Sequence, residues 1–330
     1  MQACEYRSMQ SYCFFGSAGL KWWVERFLEK VGFSSVKLKR LNIGYFYAIA
    51  VGVLCGIIPV IINKVVGANN LPRATALFVK FAASSIILLP IAAPKIKKVT
   101  FPTGFGWKLP VCALFYVATL VFLYESYRFI PTSIGVALQY TFPLFTMGFS
   151  ILFFRFRCTI PSFLAMVLSL VGAMLLSGGN LDGDKAYLGI ILGIGCAISY
   201  AGYFLFVEHT QMAAMDTTVF VSLKTMMSTV LFFLYILVTR QMTFTMSLQT
   251  FLGLVASGIC TILASYCLTL AIRHIGSVYT SILGSIELIV CAVAGYFILD
   301  ESLSWSSKIG IVVIMIATIL VAISKKEKKG

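Results

Sequence analysis

Ten apolar runs of about 20 residues divide this chain, five in each half, and the halves echo each other. A run of that length is what a helix needs to cross the ~30 Å hydrocarbon core of a bilayer. Lipid offers the backbone no hydrogen-bond partner, so such runs are expected to be helical. The echo has a shift of about 145 residues. Gly44 pairs with Gly189, Ile49 with Ile194, Arg128 with Arg273, Ile130 with Ile275 and Leu138 with Leu283. Lys80 and Lys224 are 144 apart, and Ser84 and Ser228 keep the same shift. Five crossings reverse the side from which the next copy starts. The second half is therefore expected upside down relative to the first, with any path between the halves near the membrane midplane. The expected fold is an all-α polytopic membrane protein: ten transmembrane helices as two inverted five-helix repeats.

Composition agrees. Of 330 residues, 59% are hydrophobic and 12% charged, more apolar surface than a soluble domain of this size can hide. The expected spans are 43–65, 72–93, 107–127, 131–153, 160–178, 187–207, 217–238, 250–271, 277–299 and 306–324. The chain then divides into a basic tail, 1–42, a first repeat, 43–178, a linker, 179–186, a second repeat, 187–324, and a basic tail, 325–330. Turn signals sit at Gly67–Asn70, Gly178–Gly183 and Asp300–Ser304. Residues 20–31, with Trp22, Trp23 and Phe27 among lysines and arginines, are readable as a short amphipathic helix on the membrane surface; an extension without function is the other reading.

The net charge of +14 would suggest nucleic acid in a soluble domain. Here the basic residues crowd the tails and span ends, which points to anionic lipid headgroups at the cytoplasmic face and to no nucleic acid. Lys and Arg placement puts both termini in the cytoplasm, with the tails and Lys95–Lys98 carrying that assignment; the plasma membrane is the expected location. Arg155, after span four, aligns with Asp300, after span nine. Loops on opposite faces would account for that reversal of charge. Cys55, Cys112, Cys196, Cys260, Cys267 and Cys291 lie within apolar segments and read as buried thiols, with no metal-type spacing. No cofactor is expected.

Glu287 stands out among the candidate functional residues. It lies at the centre of span nine, where a charge costs at least ~2.5–3.5 kcal/mol. It must face the bundle interior, find a partner or be protonated. It reads as a proton site or a contact for a cationic group; an interhelical ion pair or hydrogen bond is the alternative. Lys80 and Lys224 each lie seven or eight residues into a span. Their heads could attract an anionic or zwitterionic solute from two vestibules, or snorkel to the interface. Gln139, Tyr140, Tyr200, Tyr203 and Tyr266 are further candidates for the solute or proton pathway, each equally able to bond a neighbouring helix. Gly52, Gly56, Gly195, Gly202 and Gly284 are candidates for close helix packing, and Pro59 and Pro143 for bending.

Residues 276–324 carry a family resemblance. The central acid, the small-residue helix and the Leu-Asp-Glu-Ser-Leu turn at Leu299–Leu303 precede an apolar span with Gly310. Together they resemble the EamA-type repeat of the drug/metabolite transporter superfamily. Residues 131–178 look like a second copy, with Pro143 where that family often has proline; Phe154-Arg155-Phe156-Arg157 departs from its usual turn. The resemblance implies a secondary transporter that moves a small organic solute, a metabolite, amino acid or drug-like compound, outward by alternating access. It admits protons as a coupling partner and a homodimer as the assembly. No nucleotide-binding G-x-x-x-x-G-K loop is present, so a gradient or exchange would supply the energy. An enzyme is disfavoured: His209 and His274 sit near span ends outside H-E-x-x-H, and no G-x-S-x-G occurs. A scaffold or receptor would need neither inverted halves nor a central acid.

Overall fold

The computed structural model describes residues 35–69, 71–130, 132–177, 185–241, 243, 246–298 and 305–324. The amphipathic reading of 20–31, most of the linker, the Asp300–Glu301 turn and the C-terminal tail lie outside them. A short N-terminal unit, residues 1–43, is distinct from a main unit, 44–330, and only the main unit is considered below.

Among the described residues every regular element is a helix, and there is no strand. In chain order the helices are α1 (Ser35–Asn69), α2 (Arg73–Ile96), α3 (Phe105–Ser126), α4 (Thr132–Gln139), α5 (Phe142–Phe154) and α6 (Ile160–Ser177). The second set is α7 (Ala186–His209), α8 (Thr217–Thr239), α9 (Leu248–Ile275), α10 (Ser277–Leu283), α11 (Ile286–Ile298) and α12 (Trp305–Ser324). Eight segments of the described chain are long and apolar enough to cross a bilayer, and two shorter apolar helices, Ile160–Leu175 and Lys308–Leu320, join them. Bulky apolar side chains such as Ile86, Leu152, Val238 and Phe297 are exposed, as expected where lipid is the solvent. The expected turn at Gly67–Asn70 is shorter than anticipated, because α1 runs on to Asn69.

Two expected spans are not single helices. Span four breaks between α4 and α5, at Tyr140 and Thr141; span nine breaks between α10 and α11, at Gly284 and Ser285. The two breaks lie 144 residues apart, the shift that also relates Lys80 to Lys224. Each is a local tightening. Thr141 N–H donates to Leu138 (3.0 Å) and Leu144 N–H to Thr141 (3.0 Å); Ser285 N–H donates to Ile282 (3.2 Å) and Glu287 N–H to Gly284 (2.9 Å). These i→i+3 bonds keep polar backbone satisfied inside an apolar bundle. Pro143 sits in the first turn of α5, where its missing N–H costs nothing.

The repeats pack through their equivalent helices. Along α2 and α8, Thr75 Oγ1 donates to Gln241 O (2.5 Å), Ser85 and Thr229 share a hydroxyl hydrogen bond (2.9 Å), and Lys95 Nζ donates to Thr218 Oγ1 (3.1 Å). Phe78 meets Phe233 and Phe81 stacks on Phe232, with centroids 5.7 and 5.0 Å apart. As one residue number rises the other falls, so these equivalent helices run antiparallel. The same pairing recurs elsewhere: α6 packs on α12 with Gly172 against Ile314. Gly44 packs on Ile275 and Gly189 on Ile130, two contacts that exchange under the shift.

Candidate functional site

A cavity of about 150 Å³ opens where both broken helices meet α1, α2, α3, α7 and α9. The share of the liquid taken by one water is roughly 30 Å³. Of the residues singled out in the sequence, Lys80, Gln139, Tyr140, Tyr200, Glu287 and Pro59 line this cavity. Cys55, Tyr116, Thr119, Tyr124, Tyr127 and Thr261 join them. The lining runs up α3 from Tyr116 to Tyr127, about 16 Å at 1.5 Å per residue.

Glu287 occupies the first turn of the half-helix α11, where the positive end of the helix dipole faces its carboxylate. Its position is set by α1. A Cβ built on Gly56 would lie 2.7 Å from Glu287 O and 2.7 Å from Val290 Cβ; one built on Gly52 would lie 3.0 Å from Ile286 Cβ. The two glycines, one helical turn apart, let α1 press against the backbone that carries the acid. The Tyr140 hydroxyl is buried and faces the Glu287 carboxyl. Pro59 lacks an N–H, so the Cys55 carbonyl one turn earlier loses its helical donor at the cavity wall.

Lys80 is 3% exposed and Lys224 1%, so neither snorkels to the surface. Lys80 Nζ lies over the Phe81 ring, 4.8 Å from its centroid. Lys224 sits in a neutral box outside the cavity wall. Its Nζ donates to Ser265 Oγ (3.0 Å) and Tyr203 Oη (3.4 Å) and lies 4.1 Å from the centroid of Tyr116. Ring faces return roughly 0.5–2 kcal/mol to a cation, while a buried ion costs several kcal/mol to desolvate. Tyr116 is shared: its ring lies under Lys224, and the residue also lines the cavity. Among the described residues the ion pair that forms is Arg128–Glu125 (3.0 Å), near the end of α3, where Tyr235 also donates to Glu125 (2.6 Å).

The remaining candidates lie elsewhere. Tyr266 is 39% exposed and does not line the cavity. Tyr203 belongs to the Lys224 box. Gly202 and Gly195 let α7 approach α3: a Cβ built on each would lie 2.9 Å from the Phe115 ring and 3.3 Å from the Phe122 ring, respectively. Gly284 caps α10 at the break. Beyond the cavity, towards the C-terminal ends of α5 and α7, aromatic rings close ranks. Phe142 lies 4.6 Å from Tyr200 and 5.3 Å from Phe204, centroid to centroid. At that end Glu208 accepts the Ser277 N–H (2.9 Å), and Arg273 donates to the carbonyls of Ala213 and Met215.

Fold and site together define a multi-pass helical membrane protein of two repeats, with a mostly apolar cavity that carries a few polar groups where they meet. The chain belongs to the EamA-like transporter family, whose model matches residues 42–178 and again 187–323. That family is part of the drug/metabolite transporter superfamily. An uncharacterized transporter of Synechocystis sp., sll1319, is 34% identical over 109 residues. That match covers 32% of this chain, which spans about a third (32%) of the relative's length. A protein of known crystal structure superposes with a TM-score of 0.71 at 14% identity, over 88% of this chain and 99% of its own; at that identity the likeness is one of fold.

Proposed function

We propose that this chain is a secondary transporter that moves a small organic solute outward across the plasma membrane by alternating access. Ten spans, counting α6 and α12, form two five-helix repeats of opposite orientation; the antiparallel run of α2 against α8 supports the inversion. Both termini lie in the cytoplasm, with the basic tails against anionic headgroups. In that orientation the Tyr124–Tyr127 end of the cavity faces outside and the Phe142–Phe204 cluster faces the cytoplasm. The described conformation then corresponds to an outward-facing state. Glu287 carries the coupling proton, and the chain works alone or as a homodimer.

One observation carries this reading: the cavity is lined by both repeats, and an acid in the first turn of a half-helix is part of its lining. Discontinuous helices that present half-helix ends at the midplane are the usual means by which transporters hold solutes and ions. The test is flux. Purified protein in vesicles should exchange at least one radiolabelled solute from a panel of amino acids, organic acids, purines and organic cations. A reconstituted, folded chain that moves none of them faster than empty vesicles would overturn the proposal.

A further inference from the structure

The buried charges around the cavity do not balance. Lys80 and Lys224 are both fully inside the bundle, and the one acid lining the cavity is Glu287. Neither lysine is within ion-pair distance of a carboxylate among the described residues. Lys224 has hydroxyls and ring faces in place of a counter-ion. Lys80 Nζ forms no hydrogen bond to a described residue and sits in the cavity wall. With both lysines and the acid ionised, these side chains together carry one uncompensated positive charge.

The lining is also rich in donors. Lys80, Tyr116, Tyr124, Tyr127, Tyr140 and Tyr200 all reach it; the lysine brings three N–H groups and each tyrosine a hydroxyl. Glu287 is the lining side chain that, when ionised, only accepts, and the Cys55 carbonyl adds a neutral backbone acceptor. A donor-rich, net-positive cavity inside a low-dielectric bundle selects for a ligand that brings negative charge and acceptor oxygens. The aromatic walls suit an apolar body attached to that group.

From these observations we infer that the transported solute is a small organic monoanion whose carboxylate docks on Lys80. Lys224 adds its field from behind the ring of Tyr116 without touching the solute. A single negative charge brings the site to neutrality, which a net-neutral zwitterion does not and a cation worsens. This inference rests on the transporter reading and names the class of solute that the same cavity takes.

The experiment compares three solutes that share a phenethyl frame, 3-phenylpropanoate, phenylalanine and phenethylamine, with propanoate, alanine and ethylamine as a smaller set on an ethyl frame. Binding to the purified full chain is measured by isothermal titration and by protection against thermal unfolding. The acid of at least one set should bind ten-fold or more tighter than its amine, with the amino acid between. Lys80→Met should abolish that preference, and Lys80→Arg should retain most of it. The melting temperature of each unliganded variant separates loss of binding from loss of fold, and Lys80→Arg keeps the test open if Lys80→Met is unstable.

Tighter binding of the amine or amino acid overturns the inference, as does undiminished acid binding by a folded Lys80→Met. So does the absence of binding by all six solutes at millimolar concentration. In each case the transporter reading is judged separately: vesicle flux of any cationic or neutral solute leaves it standing, and flux of none removes both.

Discussion

Gly56→Ala adds one methyl group, and the structure says where that group must go. Its Cβ would lie 2.7 Å from Glu287 O and 2.7 Å from Val290 Cβ, against the 3.4 Å at which ordinary contact begins. Helices α1 and α11 would have to separate by about 0.7 Å, since a backbone carbonyl and a Cβ cannot rotate aside. Overpacking of this kind costs about 1–3 kcal/mol. The better helix propensity of alanine returns roughly 0.5–1 kcal/mol. The net loss is then on the order of 1 kcal/mol, or ~2–4 °C in melting temperature. Gly148→Ala is the control, because a Cβ there meets nothing within 4 Å; it should leave the melting temperature unchanged or raise it. The assay is thermal unfolding in one detergent, followed by flux. The displaced atom belongs to Glu287 itself, so flux should fall further in Gly56→Ala than the stability loss explains. Equal melting temperatures for the two alanine variants, with equal flux, would refute the close approach of α1 to the acid.

Two other perturbations test the architecture. Ser85→Cys with Thr229→Cys, in a background without the native cysteines, should form a disulfide, because the native hydroxyls are 2.9 Å apart and a disulfide needs side chains in close reach; after cleavage at a protease site placed in 179–184, the halves should stay joined until reduced. Glu208→Ala leaves the buried Ser277 N–H without its acceptor. It should lower stability by about 1–3 kcal/mol, read as a lower melting temperature, with the acid and amine binding order unchanged.

Much of this architecture is legible in the sequence, because the bilayer leaves few alternatives. The repeat, the helices and the isolation of Glu287 follow from apolar run length and from one acid among about twenty uncharged residues. Gly52 and Gly56 are visible by their spacing. The helix breaks are not. Hydropathy runs unbroken through Tyr140–Phe142 and Gly284–Ile286, and a tightening that keeps its hydrogen bonds internal leaves no polar mark. Pro143 is the available clue: a proline in a first turn signals a helix start as readily as a bend. Tyr116 is equally hidden. Helix α3 is apolar around most of its circumference, so nothing in its pattern separates a cavity-facing tyrosine from a lipid-facing one. Tyr266 shows the converse, a tyrosine in mid-span that the fold turns outward. The lysines need three dimensions, since reach to the interface and burial are both compatible with a position seven residues into a helix.

The central claim is that Glu287 couples movement of solute through the cavity between the repeats. Glu287→Gln removes the titrating oxygen and keeps the shape, so its vesicle flux is the most direct measurement. Accumulation driven by an imposed proton gradient should vanish, while downhill exchange of the same solute continues near the wild-type rate. Loss of both activities in equal measure, with a lower melting temperature, would contradict the claim and leave Glu287 a structural residue.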